Sequence, residues 1–290
     1  MNQPWTADPP AEFSGRAVAA VIEDLLQQLQ NPEETKAVHR IRVDIKRLRA
    51  WLRLVRYGGD FDWRRHDRRL RDLARQLSAQ RDSQVILDTL RWLEQKLEDP
   101  AQQRALDQLR SYIGFVPGPD EIDWPAVKEA LVSEMDTLRS EMECLDSIGI
   151  VQEGLRRTYK RADKRGERAF SSGGGIEDLH QLRKWVKYLY YQIQIIRDTR
   201  QDEYGKTHKQ LNELGDKLGR IHDLDIVRSR VAQLSGKEVC LQAAAIIERL
   251  IDKRMNNLTG RCRRLYRRVF NVSPKAFVRP LDRAHTGPVS

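Results

Sequence analysis

The chain has little of what secreted, redox-active or membrane-spanning proteins are made of. Its 290 residues include three cysteines, Cys144, Cys240 and Cys262, far apart and odd in number. No CxxC occurs, so neither a disulfide framework nor a zinc knuckle is indicated. The opening MNQPWTADPP has no basic segment followed by an apolar one, so it does not read as a signal peptide. No run of 18 apolar residues exists, which predicts no membrane span. Aromatics are scarce at 7%, and no segment alternates apolar and polar residues as a strand does. The expectation is a reduced, cytoplasmic, all-α protein.

Positive charge is abundant. Lys and Arg number 52 against 42 Asp and Glu, a formal net charge of +10 with a sequence pI near 9.6. That balance favours polyanionic partners. The charge is also segregated. Residues 94–153 hold five basic and fourteen acidic residues, whereas residues 36–56 hold eight basic and one acidic.

The second stretch contains "AVHRIRVDIKRLRAWLRLVR" at 37–56. At 100° per residue, His39, Arg42, Lys46, Arg49, Arg53 and Arg56 share an arc of roughly 100°. Beside it runs an apolar stripe of Ile41, Ile45, Leu48, Leu52 and Val55. The apolar stripe predicts docking into a bundle, and the basic stripe borders that contact. Like charges at i,i+3 and i,i+4 repel by a few tenths of a kcal/mol per pair. A bound polyanion would supply the missing counter-charge. The plainer reading is a solvated face whose long side chains cover apolar surface.

The pattern recurs. In "HQLRKWVKYLYYQIQIIR" at 180–197, His180 aligns with His39 at an offset of 141. Arg183 and Lys187 then match Arg42 and Lys46, and Leu182, Val186, Leu189, Ile193 and Ile196 match the apolar stripe. "LSAQRDSQV" at 77–85 aligns with "LGRIHDLDI" at 218–226 without a gap. This predicts an internal duplication into halves at about 12–150 and 151–282, within a single domain from 12 to 282, with flexible termini at 1–11 and 283–290. Asp82 and Asp223 sit where an N-cap would open the third helix of each half. In the second half that places separate helices at 203–219 and 224–235.

Other basic faces repeat the theme. Arg64, Arg68, Arg71 and Arg75 share one face; Arg157, Arg161, Lys164 and Arg168 share another, with Lys160 beside it; Arg254, Arg261 and Arg268 share a third. If these stripes converge they form a positive channel. If they point outward they form a basic surface. His39 and His180, one in each repeat, have no His or Cys at metal-ligand spacing. They read as packed, hydrogen-bonded or phosphate-contacting rather than metal-binding. No acid, base or nucleophile constellation stands out, so no enzyme, cofactor or catalytic residue is predicted.

These residues resemble the CHAD domain family. "HRIRVDIKRLRAWLRL" resembles its first signature and "HQLRKWVKYLYY" its second. "GLRRTYKRADKRGERAF" at 154–170 resembles the basic helix that precedes the second signature. "RD" at 81–82, "HD" at 222–223 and the tail "RCRRLYRRVFNVSPKAF" are similar to further family segments. The resemblance implies two pseudo-symmetric four-helix-like bundles around a basic central cavity. It also implies binding of inorganic polyphosphate and association with polyphosphate granules. By motif position the phosphate contacts would be Arg42, Lys46, Arg49 and Arg53, with Arg183 and Lys187 in the second half. The wider candidate set adds His39, Arg68, Arg71, Arg75, Arg157, Lys160, Arg161, Lys164, His180, Lys209 and Arg261. Tyr190 and Gln194 stand where the first half has Arg49 and Arg53, so the first half should dominate. No ExExK triphosphate-tunnel motif occurs, which implies a stand-alone binder. Inositol phosphates and nucleic acid are expected to bind more weakly. The alternatives are a nucleic-acid-binding helical protein, for which no helix-turn-helix or stacking-platform signature is present, and a scaffold for an acidic protein.

Overall fold

The computed structural model describes residues 10–31, 37–59, 61–77, 79–113, 122–142, 148–198, 204–234 and 241–283. Among them there is no strand, in keeping with the all-α reading. The helices in chain order are α1 (Pro10–Gln28), α2 (Ala37–Val55), α3 (Trp63–Gln76), α4 (Ala79–Glu94), α5 (Pro100–Ile113), α6 (Trp124–Met142), α7 (Ile148–Ala169), α8 (Ile176–Arg197), α9 (Gly205–Leu234), α10 (Leu241–Val269), α11 (Pro274–Val278) and α12 (Pro280–Arg283). Moved by 141 residues, the bounds of α1 and α2 fall inside α7 and α8. The chain forms two compact units. The first comprises Met1–Gln76, Ile122–Asn212 and Arg268–Ser290, the second Leu77–Glu121 and Glu213–Arg267, so each draws on both sequence halves. The expected flexible termini lie almost wholly outside the described residues.

In the first unit α2 is central, packed by α1, α3, α7 and α8. Its apolar stripe of Ile41, Ile45, Leu48, Leu52 and Val55 is fully buried. The matching stripe of α8 is buried to the same degree. Each such aliphatic side chain contributes roughly 1.5–3 kcal/mol of transfer free energy. Trp51 and Trp185 are core residues, as their apolar settings predicted. Two glycines make this packing possible. Gly59 ends the α2 turn with φ of 59°, a left-handed conformation that a side chain would strain. Gly154 brings α7 against the α2 backbone, where an added Cβ would lie 1.8 Å from the Leu54 carbonyl oxygen. The chain after α10 is tied down by Tyr159, whose hydroxyl donates to the carbonyls of Val269 and Val272 at 3.3 and 3.0 Å.

The second unit buries Leu90 and Leu93 of α4, Leu106 and Leu109 of α5, and Ile251, Cys262 and Leu265 of α10. Its part of α9 corrects one sequence expectation. No break separates 219 from 224; α9 runs unbroken from Gly205 to Leu234. Leu218, Ile221, Leu224 and Val227, spaced three apart, are all buried, and a turn there would expose them. Asp223 is therefore interior to a helix and caps nothing. Asp82 likewise falls inside α4, past its first residue at Ala79, and its side chain lies outside the described residues.

α3 docks on α6 through a charged triad in which His66 and Glu134 are buried and Glu141 is half-exposed. His66 is fully buried, with Nδ1 at 2.6 Å from Glu134 Oε1 and Nε2 at 3.0 Å from Glu141 Oε2. Arg69 and Arg65 face the other oxygens of the same two carboxylates. An ionised carboxylate only accepts, so His66 bonds both at once when each of its ring nitrogens carries a proton. Burial alone would lower the His66 pKa, but the bonds from Glu134 and Glu141 outweigh it and raise the value above 6.5. The raised pKa makes the imidazolium stabilising below the unfolded histidine range and removes that contribution as pH climbs through the folded value. Wild-type stability is therefore expected to fall as pH rises above the ordinary histidine value of about 6.5, whereas His66→Gln should be less stable and lack that decline. Urea midpoints at several pH values measure both. A parallel decline in the two proteins would assign it to other groups.

Candidate functional site

The basic face of α7 is where the sequence's charge and the structure's shape meet. Arg157, Lys160, Arg161, Lys164, Arg165 and Arg168 line a groove of about 540 Å³ with Arg56 and Tyr57 from the end of α2. No acidic residue lines it. Six of the cations follow one another at short helical spacing, so their mutual repulsion opposes the helix that carries them. Part of the relief comes from aromatic faces. The Arg157 and Arg56 guanidiniums lie 4.5 and 4.7 Å from the Tyr57 ring centroid, and Arg161 lies 5.0 Å from that of Trp185. Cation–π contacts of this kind are worth about 0.5–1 kcal/mol at exposed sites. They fix the guanidiniums in place without neutralising them.

The ends of the groove are anchored by acids set outside it. Glu153, one turn before Arg157, accepts from Arg156 Nε at 2.8 Å and pairs with Arg157. Hydrogen bonds from Arg156 and then Arg157 hold its carboxyl well down, at about 2. At the other end Arg168 Nε donates to Asp178 Oδ1 at 2.7 Å. Asp178 also receives the Gly175 backbone N–H at 3.3 Å, closing the first turn of α8.

Next to the groove, α2 carries a second arrangement built on one acid. Arg53 is buried and binds Asp67 through both terminal nitrogens, Nη2 to Oδ2 at 2.7 Å. Arg49 Nε donates to Asp67 Oδ1 at 2.9 Å. The Arg53 guanidinium also lies 4.2 Å from the Tyr188 ring centroid. Burial would raise the Asp67 pKa, but bonds from Arg53 and Arg49 reverse that and hold the carboxyl below its ordinary value. One carboxylate against two guanidiniums leaves an excess of positive charge. The effect shows on two neighbours. Lys184, although exposed, is pushed below the usual lysine range by partial desolvation of its ammonium, then by Arg53, Arg49 and Arg161. Arg56 is pushed down by burial and by Arg53 and Arg161, against a favourable contribution from Tyr57. An anion placed among these groups would favour the charged forms of both side chains.

The sequence-derived candidates thus separate. Arg157, Lys160, Arg161 and Lys164 come together in the groove. Arg49 and Arg53 are committed to Asp67. Arg42 donates to the Ala74 carbonyl at 2.9 Å, tying α2 to the end of α3, and Lys46 is half-buried. His39 is exposed. Arg68, Arg71 and Arg75 lie on the exposed face of α3, with Arg71 bound to Asp72 at 3.1 Å. On α8, His180 Nδ1 lies 3.7 Å from Glu177, Arg183 is half-buried, and Lys187 sits 5.2 Å from the Tyr190 ring. Lys209 is exposed on α9, and Arg261 is exposed on α10 of the second unit. The groove residues that sequence reasoning left off its site are Arg56, Tyr57, Arg165 and Arg168. Lys184 was missed too, although it stands directly after Arg183 in the second signature. Among the described residues no cluster of three His, Cys, Asp or Glu is placed to hold a metal ion, and no helix is long and apolar enough to cross a membrane.

Comparison with known proteins agrees with the fold. The crystal structure of the CHAD domain from the plant Ricinus communis superposes with a TM-score of 0.55 over 99% of this chain and 98% of that one, at 17% sequence identity. No curated protein sequence matches the chain. The family model of the CHAD domain matches residues 16–232. With that match covering most of its length, and an all-helical fold shared with a CHAD domain structure, the chain belongs to the CHAD domain family.

Proposed function

We propose that this protein binds linear inorganic polyphosphate in the α7 groove, as a binder rather than an enzyme, and that it does so on cytoplasmic polyphosphate granules. The observation that carries the reading is a groove lined by seven Arg and Lys residues, one tyrosine and no acid. A phosphate polymer presents one charge after another and little shape to recognise. Guanidiniums offer it planar forks, and lysines offer mobile point charges. Membership of the CHAD family supports the same ligand class. Lys184, Arg49 and Arg53 add positive potential beside the groove, with Asp67 holding the two arginines in place.

The test is a titration with long-chain polyphosphate at two salt concentrations, on wild type and on Arg161→Glu/Lys164→Glu. Two charge-assisted hydrogen bonds at about 1.5 kcal/mol each predict a loss on the order of 100-fold. The dependence of log affinity on log salt should be steep in wild type. It should be shallower by about 0.7 for each cation that no longer neutralises a phosphate. Polyphosphate chain length should be unchanged after incubation. Equal affinities for the two proteins, or equal competition by RNA at the same phosphate concentration, would overturn the reading.

A further inference from the structure

Lys184 is exposed on α8, and among the described residues it makes no hydrogen bond and no ion pair. Cations nevertheless crowd it. The residue after it, Trp185, has the Arg161 guanidinium 5.0 Å from its ring centroid. One turn on, Tyr188 has the Arg53 guanidinium at 4.2 Å. The acid that faces this cluster, Asp67, already accepts hydrogen bonds from Arg53 and Arg49. Arg161 is exposed, and among the described residues it has no ion pair.

The sequence sets Lys184 apart from the lysines of the groove. Lys160 and Lys164 have Asp163 and Glu167 three residues on, at the spacing of helix ion pairs. Lys184 has His180, Gln181, Lys187 and Tyr188 at three and four residues to either side, and no acid. Nothing local stabilises its ammonium. Partial desolvation, then Arg53 and Arg49, hold its pKa below the usual lysine range against the pull of Asp67. More of the side chain is then the neutral amine, which is a nucleophile. The exposed guanidinium beside it is a donor suited to phosphate oxygens. One class of reagent answers to both groups. An acyl phosphate, the mixed anhydride of a carboxylic and a phosphoric acid, carries a phosphoryl group for the guanidinium and an electrophilic carbonyl for the amine.

We infer that Lys184 is an acylation site for acyl phosphates, with Arg161 holding the phosphoryl group while the Lys184 amine attacks the carbonyl carbon. A C–N bond forms, and the bond from the carbonyl carbon to the bridging oxygen breaks. Inorganic phosphate leaves with both electrons of that bond and takes up the proton that the amine gives away. The product is an amide, so the modified residue has no positive charge. This chemistry does not require polyphosphate to be the ligand of the groove.

The experiment incubates the full chain with acetyl phosphate and follows acetylation of each lysine by peptide mass spectrometry. Lys184 should react about 10-fold faster than Lys128, an exposed lysine of α6, the advantage expected from a charge-assisted hydrogen bond to the phosphoryl group. With N-hydroxysuccinimide acetate, an acetyl donor without phosphate, the ratio of Lys184 to Lys128 should be smaller. Arg161→Gln should slow the acetyl phosphate reaction at Lys184 by about 10-fold, and Arg161→Lys should restore part of it. Excess inorganic phosphate should slow wild-type Lys184 more than Lys128. Equal rates at Lys184 and Lys128 overturn the inference. The same ratio from both donors also overturns it, leaving Lys184 a reactive amine with no phosphate-holding partner. So does an unchanged Lys184 rate in Arg161→Gln. No arm reads polyphosphate affinity, so the acylation site and the polyphosphate groove are decided separately.

Discussion

Asp67→Ala should destabilise the protein by about 3–5 kcal/mol, the range expected when one partner of a buried ion pair is removed. The reason is what remains. Arg53 is nearly inaccessible to water, and its two terminal nitrogens, together with Arg49 Nε, all donate to the Asp67 carboxylate. Without Asp67, two guanidiniums stay beside Lys184 with no counter-charge. The double replacement Asp67→Leu/Arg53→Met should recover most of the loss, because an apolar pair of similar volume avoids the desolvation of both ions. Urea unfolding of the three proteins measures it. A single-variant loss under about 1 kcal/mol would mean that the pair behaves as a surface bridge. The pH dependence has a definite sign. Asp67's folded pKa is depressed, so its contribution is present above the unfolded aspartate value and is lost as pH falls through the lower folded value. Acid unfolding of Asp67→Asn should accordingly show less pH dependence below pH 4 than wild type.

Gly154→Ala is expected to be nearly as damaging although it adds a single methyl group. The new Cβ would lie 1.8 Å from Leu54 O and 2.9 Å from Leu54 Cα, and these are backbone atoms of α2 that no rotamer change can move. Relief requires α7 and α2 to separate. Overpacking of this kind costs about 1–3 kcal/mol, and the backbone contact places this site at the upper end. Separation would also pull Arg157 and Arg161 away from Arg56 and Tyr57, so polyphosphate affinity should fall along with the melting temperature. Gly260→Ala is the matched control. It lies within α10 with nothing within 4 Å of an added Cβ, and alanine there should stabilise by about 0.5–1 kcal/mol. If both substitutions raise the melting temperature, the close approach of α7 to α2 is not as described.

Much of this was legible in the residues. The apolar stripes of α2 and α8 were assigned by helical phase alone, and every one of those ten residues is buried. Phase also gathered Arg157, Arg161, Lys164 and Arg168 onto one face of α7, and all four line the groove. The misplaced features have a common cause. "LGRIHDLD" at 218–225 has Gly219 and Asp223, residues that commonly punctuate helices, yet the buried Leu218, Ile221 and Leu224 hold α9 straight through them. Local propensity is worth about 1 kcal/mol per residue, and burial of three aliphatics exceeds it.

The sequence by itself determined the apolar faces of α2 and α8 and which cations stand together on one face, because those follow from a fixed 100° turn per residue. Only the tertiary structure decided what each cation faces. Arg49 and Arg53 lie on the same stripe as Arg56, yet the docking of α3 brings Asp67 to the first two, while the close approach of α7 places Arg56 in the groove. An arginine's charge is set by its own chemistry. Whether that charge is neutralised inside the fold or left for a ligand depends on an acid many residues away, and that distance closes only when the helices pack.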